Sequence, residues 1–248
     1  MDAPALRLDA HAVSGWLALP GSASAELMGS VGFDFVCVDQ QHGLIGDDAL
    51  LPMLQALAAT GTPALVRVTR NEPAAIGRAL DRGAAGVVVP LVDSPEEADG
   101  AVAACHHPPR GARSYGPTRT AWDATGQQRP DPLCVVMVET TAAVAALPRI
   151  LEVDGIDAIF IGPSDLALGA GMPLEAQHGD PVYDELLTSI VEPCRMHGMP
   201  VGIYCASAGH VHRFRALGCT FFALMSEASM LHAAASEHLA RSRPGRVG

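Results

Sequence analysis

The residues best suited to chemistry stand where apolar runs stop. In FDFVCVDQQHGLIG, residues 33–46, a buried-strand pattern ends on Asp39, Gln40, Gln41 and His42. An imidazole with a carboxylate at hand exchanges protons near neutral pH, although a lone histidine is as often structural. Arg67 interrupts ALVRVT, where its forked donors suit a planar oxyanion or a core ion pair. Glu139 closes CVVMVE, and Asp165 follows DAIFIG in the segment IGPSDLALG. Two such carboxylates are hard oxygen donors that suit magnesium or manganese, with water and substrate completing the shell. The alternative is a salt bridge from Glu139 to Arg67. Gly162 permits close backbone approach, and Pro163 and Ser164 open a turn. That turn either aims free N–H groups at a carboxylate or is an ordinary strand-to-helix connection. Buried charges of this kind must pair or bind something, because leaving them bare is costly.

Composition excludes several chemistries. All 16 basic residues are arginine. Without lysine there is no Schiff-base amine, no anchor for pyridoxal phosphate and no Walker-type phosphate loop. A metal, histidine, carboxylates or arginines must therefore run any reaction. A net charge of −11 argues against a nucleic-acid surface, which needs a basic stripe. The six cysteines, Cys37, Cys105, Cys134, Cys194, Cys205 and Cys219, form no CxxC and read as small core residues in a reducing compartment. No apolar run reaches the roughly 18–20 residues of a membrane span, and the N-terminus lacks a signal-peptide pattern. A soluble cytoplasmic protein is the expectation. His106 and His107 end a helical pattern, while His210 and His212 miss the i, i+4 spacing of a helical metal pair. The arginine- and glycine-rich loop 110–119 suits either a second substrate carboxylate or the acidic surface.

A repeated strand–helix unit must position these residues. GWLAL, DFVCVD, ALVRVT, GVVVPLV, CVVMVE, DAIFIG, VGIYCA and TFFALMS read as strands, with amphipathic segments such as DDALLPMLQALAAT and PVYDELLTSIVEPCRMHG between them. Continuous apolar strands with helical crossovers call for a parallel sheet covered on both faces. Eight units in 248 residues predict an α/β fold, a single (β/α)8 TIM barrel over residues 1–248, with a flexible tail at 241–248. The rival, a doubly wound open sheet, would place a G-x-G-x-x-G after its first strand, and none is present. In a barrel, chemistry belongs at the C-terminal strand ends.

GFDFVCVDQQHG, ALVRVTRNEPAAIGRALDRGAAGVVVPLV, PPRGARSYGP, VMVET and DGIDAIFIGPSDLALGAG occur in that order along nearly the whole chain. The ordered set resembles the HpcH/HpaI family of metal-dependent pyruvate aldolases. The resemblance implies a phosphoenolpyruvate/pyruvate-type barrel with a divalent cation (Mg2+, Mn2+ or Co2+) held by Glu139 and Asp165. Pyruvate would chelate it, with its carboxylate also on the N–H groups near Ser164 and Asp165 in the Gly162–Pro163 turn. Arg67 would stabilise the enolate, and His42, oriented by Asp39, would move the proton of the aldol hydroxyl. The implied reaction cleaves a 4-hydroxy-2-oxo acid to pyruvate, or a hydroxypyruvate-like donor, and an aldehyde. A homo-oligomer, a hexamer or trimer of dimers, is implied too, and the C-terminal helix SMLHAAASEHLA suits such packing. Alternatives are oxaloacetate decarboxylation or acyl-CoA ester cleavage through the same enolate, or a non-catalytic keto-acid-binding barrel. Many members carry glutamate at Gln41, some glutamine at Met137, and aspartate is common at Glu227; these departures bear on the choice of aldehyde and donor.

Overall fold

Eight short runs of almost wholly buried residues pair in parallel, each with the next, and the last closes on the first. They are β1 (Ala12–Leu17), β2 (Phe35–Asp39), β3 (Ala64–Arg67), β4 (Gly86–Val89), β5 (Leu133–Val138), β6 (Ala158–Ile161), β7 (Val201–Cys205) and β8 (Phe221–Ser226). The computed structural model describes residues 6–9, 11–116, 118, 119, 121 and 131–243. The crossovers carry α1 (Ser22–Gly29), α2 (Asp47–Ala59), α3 (Pro73–Asp81), α4 (Pro95–Cys105), α5 (Thr141–Ile150), α6 (Pro163–Gly169), α7 (Pro181–Met196) and α8 (Ala208–Ala216), and α9 (Glu227–Ser242) follows β8. This is the (β/α)8 barrel expected from the alternation of strand and helix patterns.

Two apolar cores follow from the strand period of two. Outward-facing strand residues such as Val36, Val38, Val66, Val136 and Ile161 pack beneath the helices. Inward-facing ones fill the barrel: Trp16, Phe35, Cys37, Leu65, Val135, Met137 and Phe160 belong to a separate interior cluster. All six cysteines are buried free thiols. Ser94, Thr140, Asp180, Ser207 and Ser226 cap α4, α5, α7, α8 and α9 with side-chain acceptors, satisfying N–H groups left open at helix starts.

Some boundaries differ from the sequence reading. β1 begins at Ala12 and ends at Leu17, so Ala18 and Leu19 of GWLAL lie past the strand. β4 stops at Val89, before a proline that cannot donate to the ladder. GPSDLALG is the whole of a short helix, α6, together with its N-cap Gly162. α9 runs to Ser242, into the segment expected to be a flexible tail, and residues 244–248 of that tail lie outside the described residues. No helix among the described residues is long and apolar enough to cross a membrane.

Candidate active site

The side-chain column that fills the barrel surfaces at the strand ends as charge. On β2 it runs Phe35, Cys37, Asp39, and on β3 it runs Leu65, Arg67, with Asp39 and Arg67 in register across the two strands. Asp39 and Arg67 are 3% and 9% exposed, so neither charge can rely on water. Arg67 Nε donates to Asp39 Oδ1 at 2.9 Å and Nη2 to Oδ2 at 2.6 Å. Trp16 Nε1 adds a bond to Oδ2 at 3.2 Å, and its ring centroid lies 5.0 Å from the guanidinium carbon. Phe160 stacks on Trp16 and Tyr204 meets it edge-on, which fixes the indole. Burial pushes the Asp39 pKa up, but the Arg67 bonds outweigh it and hold the carboxyl below its ordinary value. Arg67 Nη1 has no hydrogen-bond partner among the described residues.

Glu139 continues the inward column of β5, after Val135 and Met137. It is 2% exposed, yet only one oxygen is engaged: Oε1 accepts the N–H of Leu91 at 2.8 Å. Oε2 is buried without a hydrogen-bond partner. Leu91 holds a left-handed backbone, φ 54°, which is unfavourable for leucine and is retained beside this carboxylate. Gly162 leaves room next to the free oxygen, since a Cβ there would lie 2.5 Å from Oε2. Burial, with the nearby Asp165 charge, raises the Glu139 pKa above its ordinary value against the Leu91 bond. Asp165 stands exposed in the first turn of α6, beside Ser164 and just beyond Gly162 and Pro163.

A bare, buried carboxylate oxygen beside a space without a side chain, with a second carboxylate nearby, fits a cation-binding position. No group of three or more His, Cys, Asp and Glu side chains gathers to hold a metal among the described residues. A cation on Glu139 and Asp165 would therefore take its remaining ligands from water and substrate, as hard divalent ions do. The Ser164 and Asp165 N–H groups lie in the first helical turn, where no carbonyl of the helix itself is available to them.

His42 is exposed, and its ring makes no hydrogen bond among the described residues. The expected orientation by Asp39 takes another form. Oδ1 accepts the backbone N–H groups of Gln41 at 3.0 Å and His42 at 3.2 Å, while the carboxylate lies on Arg67. Asp39 thus fixes the main chain of His42 and leaves the imidazole free. Nor does Arg67 bridge to Glu139; its ion-pair partner is Asp39.

In the loop 110–119, whose residue 117 lies outside the described residues, two arginines pair with neighbouring carboxylates. Arg110 pairs with Asp131, and Arg113 with Asp81 at 2.5 Å. A cavity of about 520 Å3 opens there between α2, α3 and the segment after α4, and none of Asp39, His42, Arg67, Glu139 and Asp165 lines it. Of the remaining histidines, His106 is buried, while His210 Nε2 lies 3.0 Å from His178 Nδ1. Trp16, Tyr204 and Leu91 escaped the sequence reading. Trp16 was within reach of the alternation in β1, whereas nothing local marks Leu91 as left-handed.

A family model described as HpcH/HpaI aldolase/citrate lyase matches residues 14–234. The chain is 36% identical over 236 residues to a hydroxypyruvate/pyruvate aldolase of Rhizorhabdus wittichii, covering 94% of each. It is 35% identical over 230 residues to a 2-dehydro-3,6-dideoxy-6-sulfogluconate aldolase of Pseudomonas putida, covering 90% of this chain and 89% of that one. Among solved structures, an HpcH/HpaI aldolase/citrate lyase family protein from Burkholderia cenocepacia superposes with a TM-score of 0.85 at 26% identity, covering 95% of both chains.

Proposed function

The chain belongs to the HpcH/HpaI aldolase/citrate lyase family, and from that premise we propose that it is a divalent-metal-dependent carbon–carbon lyase. It cleaves a 4-hydroxy-2-oxo acid reversibly to pyruvate, or a hydroxypyruvate-like donor, and an aldehyde. The names of the relatives support the reaction class, and the absence of lysine leaves no amine to serve as electron sink. The observation that carries the reading is the partnerless buried Oε2 of Glu139 beside Gly162, with Asp165 nearby.

Glu139 and Asp165 would hold Mg2+, Mn2+ or Co2+, which when bound supplies the Lewis acid that draws charge from the 2-oxo group. The first-turn N–H groups of Ser164 and Asp165, after Gly162 and Pro163, receive the substrate carboxylate. Arg67, clamped by Asp39 and backed by Trp16, offers Nη1 to the oxygen on which charge develops. The clamp makes that donor rigid before substrate arrives. In the cleavage direction His42, directly or through water, takes the proton of the C4 hydroxyl as the C3–C4 bond breaks. The bonding pair passes into the enolate, and the aldehyde leaves. A proton returned to C3 completes pyruvate.

The assembly is a homo-oligomer, a hexamer or trimer of dimers, and the setting cytoplasmic. α9 supports association: Glu227 is its one buried residue, while Leu231 and Leu239 are 64% and 52% exposed. Light scattering on the purified protein reads that state. The chemistry is tested by exchange of pyruvate methyl protons in deuterated buffer, followed by mass spectrometry with and without added Mg2+, Mn2+ or Co2+. Metal-dependent exchange supports the reading. Its absence with Mg2+, Mn2+ and Co2+ alike would overturn it.

A further inference from the structure

A buried carboxylate near the end of the chain ties two strand-end loops together. Glu227 opens α9 directly after β8 and is 8% exposed. No cation accompanies it among the described residues; backbone N–H groups do. Oε1 accepts from Ala18 at 3.0 Å and Leu19 at 2.7 Å, and Oε2 from Ala18 at 2.8 Å and Ala228 at 3.1 Å. Ala18 and Leu19 form the turn just past β1. The Ala18 carbonyl in turn accepts the N–H of Leu44 at 2.7 Å.

That last bond reaches the loop of His42. Gly43 sits between the two contacts, so close that an added Cβ would collide with the Asp39 carbonyl and lie 3.2 Å from the Ala18 oxygen. The main chain around His42 is therefore gripped on both sides. Asp39 Oδ1 holds its N–H at 3.2 Å, and the Ala18 turn holds Leu44 two residues on. Glu227 keeps that turn in place. Charge-assisted bonds from a carboxylate to N–H groups are stronger than neutral ones, and losing the acceptor leaves partly buried donors unpaired. The side chain of His42 is itself unrestrained by hydrogen bonds, so its reach depends on where this backbone lies.

We infer that Glu227 is a positioning residue for the aldol step, acting on His42 through the Ala18–Leu19 turn and the Ala18-to-Leu44 hydrogen bond. The inference rests on the aldolase reading above. It separates two halves of the chemistry: Arg67 ends β3, Glu139 follows β5 and Asp165 lies in α6, and among the described residues none of them is hydrogen-bonded or ion-paired to Glu227, whose side chain meets only Ala18, Leu19 and Ala228.

The test uses the full chain carrying Glu227→Gln, isosteric but uncharged, and Glu227→Ala. Three quantities are compared with wild type: metal-dependent pyruvate methyl exchange, cleavage of 4-hydroxy-2-oxopentanoate, and hydrogen exchange at the Leu44 amide. The expected result is pyruvate exchange within about twofold of wild type, with kcat for cleavage down about tenfold to a hundredfold, the loss that misplacement near 1 Å produces. KM for the 2-oxo acid stays unchanged, the Leu44 amide loses protection, and adding Glu227→Gln to His42→Ala slows cleavage no further. A proportionate fall in both reactions would mark Glu227 as merely structural and overturn the inference, as would unchanged cleavage. If Glu227→Ala fails to fold, Glu227→Gln carries the comparison. If wild type exchanges no pyruvate protons, the aldolase reading fails, while a Leu44 amide still protected in Glu227→Gln overturns the clamp independently.

Discussion

The guanidinium of Arg67 lies fork to fork on the carboxylate of Asp39, Nε to Oδ1 at 2.9 Å and Nη2 to Oδ2 at 2.6 Å, with neither charge open to solvent. Removing one member of such a pair leaves the other bare in a low-dielectric barrel. Asp39→Asn is therefore expected to destabilise the fold by about 3–5 kcal/mol, read from the midpoint of urea unfolding. Pyruvate exchange should fall with it, since Arg67 loses the partner that fixes its remaining donor. An unchanged midpoint would remove Asp39 from this role.

The same pair sets an acid limit. Arg67 holds the Asp39 pKa below its ordinary value in the folded state, although burial opposes it. For a carboxyl with a depressed folded pKa, the stabilisation is complete above the unfolded value of about 3.9 and is lost as pH falls through the lower folded one. Wild type should accordingly lose stability below about pH 4 more steeply than Asp39→Asn, in which that group no longer titrates. Unfolding midpoints collected across the acid range check the difference in slope; parallel curves would assign the acid sensitivity to other carboxyls.

Much of this was legible from residue order, and the rest was hidden for physical reasons. Short unbroken runs such as FVCV and VVMV, set between amphipathic helical patterns, read as strands buried on both faces, so the barrel and its strand ends follow. What escaped depends on partners distant in the chain. Ala18 and Leu19 look like strand, yet their N–H groups belong to Glu227, about 209 and 208 positions away, and so the strand ends early. His42 and Asp39 look like an imidazole–carboxylate pair. At a spacing of two and three residues, however, an aspartate oxygen meets the following backbone N–H groups more readily than a ring, and Arg67 takes the rest. Leu91 offers no local sign of its positive φ, because only the fold around Glu139 enforces it.

Gly162 gives a test of the cation position that leaves both carboxylates intact. Its φ of −89° suits any residue, so the constraint is space: a Cβ would lie 2.5 Å from Glu139 Oε2, 2.8 Å from Glu139 Cβ and 3.2 Å from Met137 Cε, and would push the Glu139 side chain out of place. Mn2+ at a hundred times its dissociation constant should stabilise wild type by about 2.7 kcal/mol. Gly162→Ala is expected to fold and to lose that gain, as Glu139→Ala should. Thermal melts with and without Mn2+ read the effect. A full metal-induced shift in both variants would move the cation elsewhere.

His42 separates the two halves of the proposed reaction. Its ring is exposed and bears no hydrogen bond among the described residues, so truncation removes neither packing nor a buried partner. His42→Ala should melt within a degree or so of wild type, as surface substitutions do. In the proposed mechanism enolisation of pyruvate rests on Arg67 and the carboxylates of Glu139 and Asp165, so methyl proton exchange should persist. Cleavage of a 4-hydroxy-2-oxo acid needs a base at the C4 hydroxyl, and the loss of a positioned one costs about a hundredfold to ten-thousandfold in rate. Oxaloacetate offers the control within the same protein: its decarboxylation passes through the same enolate but has no C4 hydroxyl to deprotonate. Cleavage should collapse while decarboxylation stands. Equal losses in both would place His42 with Arg67 at the enolate, and no loss in either would leave the imidazole without a part in the chemistry.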